Sequence, residues 1–242
     1  MSEMRETADD DVSALERGFE APSGHSDFHE FRGPATQIEG YEYGTADHFG
    51  LVYETREEQF TAVVPYIEQG IERNERCMYI ASDNTRAEVL EALRAGGIDV
   101  DAALETGQLS IHTVEETYLE GGEFEVDEGR TLLGSAMEDA LAAYDGFRVT
   151  AEETWLIGDG GRHEAFMACE SHVNDLLDGE NAMALCQYNR DELSPEIIAD
   201  AIRTHPYLIY DGTVCQNVFY TPTEEYFGPT VCPAITSASC RR

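Results

Sequence analysis

The chain has 242 residues, and its 49 acidic side chains outnumber 15 basic ones, which gives a formal net charge of −34 and a sequence pI near 4.2. Nucleic-acid phosphates are bound by clustered basic residues, and the field of this chain repels them, so direct nucleic-acid binding is excluded as an expected function. An anionic membrane surface is disfavoured for the same reason. The chain shows no signal peptide and no membrane-spanning apolar run, so we expect a cytoplasmic protein.

All 15 basic residues are Arg, and the chain contains no Lys. This composition excludes mechanisms that need a lysine, such as a Schiff base or the lysine of a nucleotide-binding phosphate loop. The excess negative charge destabilises a compact fold in dilute salt, and molar salt screens that repulsion. We therefore expect a halophilic protein; an ordinary acidic protein, or one held with a partner, is the alternative.

The composition divides the chain into three parts. Residues 1–45 are rich in acidic and small residues without sustained periodicity, which predicts a disordered acidic N-terminal tail. An amphipathic turn around Leu15 and Phe19 that docks on a partner is the alternative. Residues 46–226 form the predicted domain, and residues 227–242, with Pro229 and Pro233, form a predicted loose C-terminal tail.

Within the domain, apolar runs typical of strands alternate with segments of helical periodicity. In chain order they are a strand at 48–54, a helix at 56–74, a strand at 77–81, a helix at 85–95, a strand at 107–113, a helix at 128–144, a strand at 147–157, a helix at 163–177, a strand at 182–188 and a helix at 194–205. Pro65 predicts a kink or a late start of the first helix. Asp211-Gly212 between two apolar runs predicts a hairpin. The alternation predicts one three-layer α/β domain with a mainly parallel sheet, helices on both faces and a C-terminal antiparallel edge hairpin.

Several short motifs carry a resemblance to known proteins. Residues 68–118 resemble the segment that follows the phosphate loop in RecA-like proteins of the KaiC type. Further motifs are HFGLVYE with Glu58-Gln59, Arg148-Val-Thr-x-Glu152-x-x-Trp155, Glu170 with Asn174, Leu185-Cys186-Gln-Tyr188, Thr204-His205-Pro206 and Asn217-x-x-Tyr220. With these motifs, residues 48–220 resemble the MEDS domain, the methanogen/methylotroph sensory domain.

The resemblance implies a RecA-like fold and a cytoplasmic signal-sensing module for small hydrocarbon derivatives, one that is often fused to DNA-binding or kinase modules. This chain departs from that pattern, because neither a helix-turn-helix nor a kinase region fits in its tails. Residues 53–59 stand where a nucleotide hydrolase has its phosphate loop, and they contain no Gly, no Lys and three Glu. Carboxylates there repel a triphosphate, so the sequence predicts a degenerate phosphate loop, no ATP hydrolysis and no enzyme.

The ligand site is expected in the crevice at the carboxyl ends of the strands. Glu152 ends a predicted strand, Trp155 is the only Trp, and Pro206 forces His205 into an extended conformation. The predicted ligand-binding residues are Tyr53, Tyr79, Arg148, Glu152, Trp155, Tyr188 and His205. The alternatives are that Glu152 pairs with an arginine such as Arg148, that Trp155 is a core residue and that His205 is a cation at a helix C-terminus.

Metal chemistry has weaker support in the sequence. Cys169 and His172 lie three positions apart on one helix, and His163, Cys186 and Cys215 are further candidate ligands. None of these residues belongs to a CxxC or HxxxH motif, so neither a metal nor a cofactor is predicted. Cys232 and Cys240 near the C-terminus leave a redox sensor as an alternative.

These observations predict a regulatory protein that binds a small organic ligand and relays the signal through a protein partner, a transcription factor or a kinase. An interaction scaffold or oligomerising protein with a filled pocket is the second hypothesis, and a homo-oligomer is compatible with the sequence. A residual nucleotide-binding protein is the third.

Overall fold

The computed structural model describes residues 47–226 except 120, 121, 123, 158, 159, 211 and 212, so both predicted tails lie outside the described residues. The strands are β1 (Asp47–Tyr53), β2 (Glu75–Ala81), β3 (Leu109–Thr113), β4 (Gly146–Glu152), β5 (Ala182–Asn189), β6 (Tyr207–Tyr210) and β7 (Thr213–Gln216). The helices are α1 (Arg56–Glu72), α2 (Arg86–Ala95), α3 (Val100–Glu105), α4 (Val126–Ala143), α5 (Gly160–Leu177), α6 (Pro195–Thr204) and α7 (Thr223–Tyr226). No helix among these residues has the length and apolarity needed to cross a bilayer.

The strands form one sheet in the order β3-β2-β4-β5-β1-β6-β7. Strands β1 to β6 are parallel, and β7 is antiparallel to β6 at the edge. The predicted mainly parallel sheet and the predicted edge hairpin are therefore confirmed.

Helices cover both faces of the sheet, which confirms the three layers. We call the side under α1, α2 and α3 the first face; its core includes Tyr79 of β2 and Leu185 of β5. The side under α4, α5 and α6 is the second face; its core includes Val149 of β4 and Tyr188 of β5. Because successive residues of a strand point to opposite faces, neighbours in sequence contribute to different layers.

The start of α1 is fixed by a capping box. The Thr55 hydroxyl accepts a hydrogen bond from the Glu58 N–H, and the Glu58 carboxylate accepts one from the Thr55 N–H. This reciprocal pair satisfies backbone donors that the first turn leaves unpaired, so the helix begins at Arg56 and continues through Pro65. The alternative of a late helix start at Pro65 is wrong.

Candidate functional site

The structure separates the seven predicted ligand-binding residues into two groups on opposite faces of the sheet. Tyr53, Tyr79, Arg148 and Glu152 lie on the first face, and Trp155, Tyr188 and His205 lie on the second. The division follows from the alternation along β4 and β5, which directs Glu152 and Tyr188 to opposite layers. Each face of the sheet therefore carries only part of the predicted set.

On the first face, Glu152 is the centre of a hydrogen-bond network at the carboxyl ends of the strands. Its carboxylate accepts from the backbone N–H groups of residues 82–84 at 2.6–2.9 Å and from the Tyr79 hydroxyl at 2.5 Å. The side-chain amides of Gln59 and Asn84 donate to it at 3.1 and 2.7 Å. A carboxylate has about four lone-pair positions, and these donors occupy them. Glu152 therefore anchors the loop between β2 and α2.

Two phenols flank this network. Burial, then the neighbouring Asp83 and Glu152 carboxylates, raises the pKa of Tyr53, and burial with Glu152 raises the pKa of Tyr79. Both therefore stay neutral and act as donors; the Tyr53 hydroxyl donates to Asp83 Oδ2 at 3.2 Å. Asp83 also accepts from Thr154 Oγ1 at 2.6 Å, which ties the turn after β4 to the same loop.

Arg148 lies away from the carboxyl ends. It forms a buried ion pair with Glu75, the first residue of β2, and its Nη1 donates to the Tyr66 carbonyl at 2.9 Å. The alternative that Glu152 pairs with Arg148 is wrong, because Glu75 is the acidic partner of this arginine. Arg148 and Glu152 are four positions apart along β4, which is about 13 Å.

On the second face, four aromatic residues form what we call the aromatic cluster: Tyr118, Phe124, Trp155 and Phe166. Trp155 lies 5.2 Å from Phe166, 5.4 Å from Phe124 and 5.8 Å from Tyr118, measured between ring centroids. Trp155 is only half-buried, whereas Phe124 and Phe166 are buried. Edge and tilted contacts at these separations are favourable for aromatic rings.

Glu153 is buried beside the aromatic cluster. The Trp155 Nε1–H donates to its Oε2 at 2.8 Å, whereas its Oε1 is buried without a hydrogen-bond partner among the described residues. Burial, then the nearby Glu170 carboxylate, raises the pKa of Glu153 well above its ordinary value. The side chain is therefore a neutral carboxyl group next to apolar rings.

The second polar group on this face is the His–Glu–Cys cluster, made of His48, Glu170, Cys186 and His205. All four are buried, and their ligand atoms lie within 4.8 Å of one another. Oε1 of Glu170 lies 2.8 Å from His205 Nε2 and 3.4 Å from His48 Nε2, and His48 Nε2 lies 3.4 Å from Cys186 Sγ. Among the described residues, this is the group of three or more such side chains that is compact enough for a metal ion.

The electrostatics of this cluster are dominated by burial and by the contacts within it. Burial opposes ionisation of Glu170, but hydrogen bonds and charge interactions with His205 and His48 outweigh it and place its pKa well below the ordinary value. Burial, then His205, lowers the pKa of His48. Burial, then Glu170, raises the pKa of the Cys186 thiol. A carboxylate thus lies beside a neutral imidazole and a thiol.

Different elements bring these four residues together. His48 and Cys186 come from the neighbouring strands β1 and β5, Glu170 from the middle of α5, and His205 directly follows α6. A Cβ atom at Gly50 would lie 3.0 Å from His205 Cγ, so the glycine gives the imidazole room to approach the sheet.

Sequence reasoning missed Glu170 and Glu153 as site residues. Glu170 falls on the helical spacing of the buried apolar residues Phe166, Val173 and Leu177. An acidic residue on the buried face of a helix is unusual, and this signal could have been found in the sequence. Glu153 has a weaker signal, because only the register of β4 separates its face from that of Glu152.

A cleft of about 560 Å³ lies between α4 and α5, apart from the predicted crevice. It is lined by Asp127, Arg130, Thr131, Leu133, Cys169, His172, Val173, Asp175 and Leu176. The candidate metal pair Cys169 and His172 therefore faces this cleft rather than the His–Glu–Cys cluster.

Burial, then Glu170, raises the pKa of Cys169 to about 12. His163 lies 3.4 Å from Asp200, and Cys232 and Cys240 lie outside the described residues.

Two solved structures are similar to part of this chain, each at 12% sequence identity. The flagellar accessory protein FlaH from Methanocaldococcus jannaschii has a TM-score of 0.47, and the alignment covers 69% of this chain and 74% of FlaH. A KaiC-like protein from Pyrococcus horikoshii has a TM-score of 0.49, with 67% of this chain and 70% of that chain covered.

Sequence comparison identifies a regulatory relative and a family. The transcriptional repressor DcmR of Methylorubrum extorquens is 25% identical over 175 residues, which are 70% of this chain and 62% of the repressor. The chain thus spans less than two thirds of that relative's length. The family model of the MEDS domain, the methanogen/methylotroph, DcmR sensory domain, matches residues 47–206, which include the sheet up to β5 and both clusters of the second face. The chain belongs to the MEDS family.

Proposed function

We propose that the protein is a non-enzymatic regulatory sensor that binds a small, largely apolar organic molecule at the aromatic cluster and signals to a protein partner. Membership of a sensory-domain family supports the regulatory role. The observation that carries the ligand proposal is the neutral Glu153 carboxyl group, whose buried Oε1 lacks a partner beside four aromatic rings.

The chemistry of this cluster suits a small organic molecule. Aromatic side chains provide apolar surface whose burial yields roughly 25 cal/mol per Å². Small-molecule sites combine such walls with a few polar groups that fix orientation. A protonated Glu153 supplies one O–H donor and carries no charge, so it can bind a hydroxyl, carbonyl or halogen substituent without the cost of burying an ion.

The elements that carry these rings support a signalling role. Tyr118 belongs to the segment between β3 and α4, Trp155 to the short 3₁₀ turn Thr154–Leu156 after β4, and Phe166 to α5. A ligand that separates these rings favours one arrangement of the segments over another, and the shift is limited by its differential affinity for the two states. We infer that a transcription factor or a kinase reads the surface formed by these segments.

A hydrolytic role has no support at the β1–α1 junction. The Glu58 carboxylate accepts from the Glu54 N–H at 2.8 Å and from the Thr55 N–H at 3.4 Å. The chain's own acid thus occupies backbone donors in the segment where a phosphate loop would bind an anion.

Trp155 provides the direct experiment, because it is the only Trp and its fluorescence reports on the cluster. The full chain in molar KCl is titrated with a panel of small alcohols, ketones and haloalkanes. We expect a saturable change for at least one compound and about twofold to tenfold weaker binding in Phe124→Leu, since an aromatic contact contributes about 0.5–1.5 kcal/mol beyond burial.

Tyr79→Phe is the matched control on the first face, and it should leave the titration unchanged. The aromatic-cluster assignment is wrong if the Tyr79 variant weakens binding as much as the Phe124 variant does. A panel without any saturable response contradicts the ligand proposal itself.

A scaffold with a filled pocket is the second candidate. It is favoured by the Glu152 network, whose donors already occupy the carboxylate, and by the complete burial of Tyr188. If no compound binds and sedimentation in molar KCl shows a stable homo-oligomer, this function is preferred.

A further inference from the structure

We propose that His48, Glu170, Cys186 and His205 form a binding site for one divalent transition-metal ion of the zinc class. The proposed ligand atoms are the Nε2 atoms of both histidines, Oε1 of Glu170 and Sγ of Cys186. The site is separate from the aromatic cluster, and the proposal does not depend on the ligand proposed above.

The outer hydrogen bonds of the two histidines fix which nitrogen carries the proton. Nδ1 of His205 lies 2.6 Å from the Ala201 carbonyl, which can only accept, so Nδ1 is the protonated nitrogen. Nδ1 of His48 lies 3.2 Å from Asn174 Oδ1. The Asn174 amide nitrogen donates to the Thr204 carbonyl at 3.0 Å, and this orients Oδ1 as the acceptor for His48.

In the neutral form of each ring, Nε2 is therefore the nitrogen with the lone pair, and it faces the Glu170 carboxylate. The His205 Nε2 is buried and lies 2.8 Å from Oε1, an ion-pair distance. A lone pair that faces a carboxylate is stabilised by a cation between the two groups, either a proton on Nε2 or the proposed metal ion. Histidines that bind metals are commonly oriented in this way, with the other nitrogen donating to a carbonyl or amide oxygen.

Two of the separations match tetrahedral coordination, and all four ligand atoms lie within 4.8 Å of one another. Zinc binds nitrogen and oxygen at about 2.0–2.2 Å and sulfur at about 2.3 Å, which places neighbouring ligand atoms about 3.3–3.7 Å apart. The Glu170 Oε1 to His48 Nε2 and His48 Nε2 to Cys186 Sγ distances are both 3.4 Å. The shorter contact of 2.8 Å between Glu170 and His205 opens by less than 1 Å to reach that range.

The charges balance when the metal binds. The Cys186 thiol loses its proton to solvent as the Sγ–metal bond forms, since the thiolate is the ligand. One thiolate, one carboxylate and two neutral imidazoles then neutralise a divalent cation. A neutral centre is what a buried position with no exposed ligand atoms requires.

Tyr188 would hold two of the proposed metal ligands, Glu170 and His205, in place. Its hydroxyl donates to Glu170 Oε1 at 2.9 Å, and its ring packs edge-on against His205 with centroids 5.5 Å apart. This contact positions the carboxylate against the ring, so Tyr188 acts as a positioning residue.

The test uses the full chain, unfolded with a chelator and refolded in molar KCl with Zn²⁺ or Co²⁺ in turn. We expect one Zn²⁺ per chain that survives desalting, and with Co²⁺ the visible bands of tetrahedral coordination plus a thiolate-to-cobalt charge-transfer band. The charge-transfer band distinguishes this site from loose binding at surface carboxylates, because it requires sulfur.

Matched cysteine variants locate the sulfur ligand. Cys186→Ala should lose the charge-transfer band and bind Zn²⁺ at least tenfold more weakly. Cys169 is a buried cysteine outside the cluster, so Cys169→Ala should keep the band and the wild-type affinity for Zn²⁺. If Cys186→Ala does not refold, His48→Gln provides the second variant and should bind Zn²⁺ at least tenfold more weakly. The proposal is overturned if the refolded wild-type chain retains no stoichiometric Zn²⁺ or if the band persists in Cys186→Ala.

Discussion

At the residue scale, the buried ionisable groups of the two faces act differently. The Glu152 carboxylate is held by a full set of donors, whereas the adjacent Glu153 carboxyl group has one partner and sits against aromatic rings. Neighbouring acids thus anchor a loop on one face and offer a neutral donor on the other. Because Glu153 is neutral in the folded protein, we expect the free energy of unfolding to depend on pH.

Glu153→Gln should stabilise the protein increasingly as pH rises. The unfolded carboxyl group titrates near pH 4.3, and the folded pKa lies well above that value. Between the two values, the native state keeps a proton that the unfolded state has released, so wild-type stability falls with rising pH by up to about 1.4 kcal/mol per pH unit. Gln has no proton to lose and keeps an acceptor for Trp155.

Chemical denaturation of the two proteins between pH 4 and pH 9 measures this difference. The difference in unfolding free energy between Glu153→Gln and the wild type should be smallest at pH 4 and should increase as pH rises. A gap that stays constant across the range would show that Glu153 is ionised in the folded protein.

Arg148 should affect stability rather than ligand binding. Removing one member of a buried ion pair costs about 3–5 kcal/mol, because it leaves the partner's charge uncompensated. Arg148→Met should therefore be strongly destabilised, and adding Glu75→Leu should recover most of the loss. Denaturant titration measures both effects. A stable Arg148→Met protein that no longer gives a Trp155 fluorescence response would return Arg148 to the ligand site.

At the element scale, the fold was predictable because its signals are local. Alternating apolar runs and amphipathic segments predict the parallel strands and the helices, and Asp211-Gly212 predicts the edge hairpin.

The site was less predictable, because the face of a strand residue depends on register. The sequence pattern predicts that Tyr79 and Tyr188 lie on strands of the same sheet. It does not predict that their side chains lie on opposite faces, because that depends on the register. The His–Glu–Cys cluster depends on how α5 packs over β1 and β5, which no local pattern records.

The α2 cap provides a test at this scale. The Thr85 hydroxyl accepts from the Glu88 N–H, and the Glu88 carboxylate accepts from the Thr85 N–H. Thr85→Ala should cost about 1 kcal/mol in unfolding free energy, as measured by denaturant titration. Thr61→Ala, at an exposed position inside α1, should change stability by less than about 0.5 kcal/mol. Equal losses at the two positions would contradict the capping role.

At the scale of the whole molecule, the net charge of −34 should control stability. Raising KCl from about 0.1 M to about 1 M shortens the Debye length from about 10 Å to about 3 Å and so weakens repulsion between surface carboxylates. We expect the thermal unfolding temperature to rise steadily over this range. A temperature that is unchanged or falls would contradict the proposed halophilic adaptation.

The most direct test of the regulatory-sensor account is mass spectrometry of the small molecules released from the full chain, purified in molar KCl from its native host. The account predicts a small, largely apolar organic compound in stoichiometric amount, together with no adenine nucleotide. A stoichiometric adenine nucleotide would contradict the account, because the segment that replaces the phosphate loop would then be a working nucleotide site.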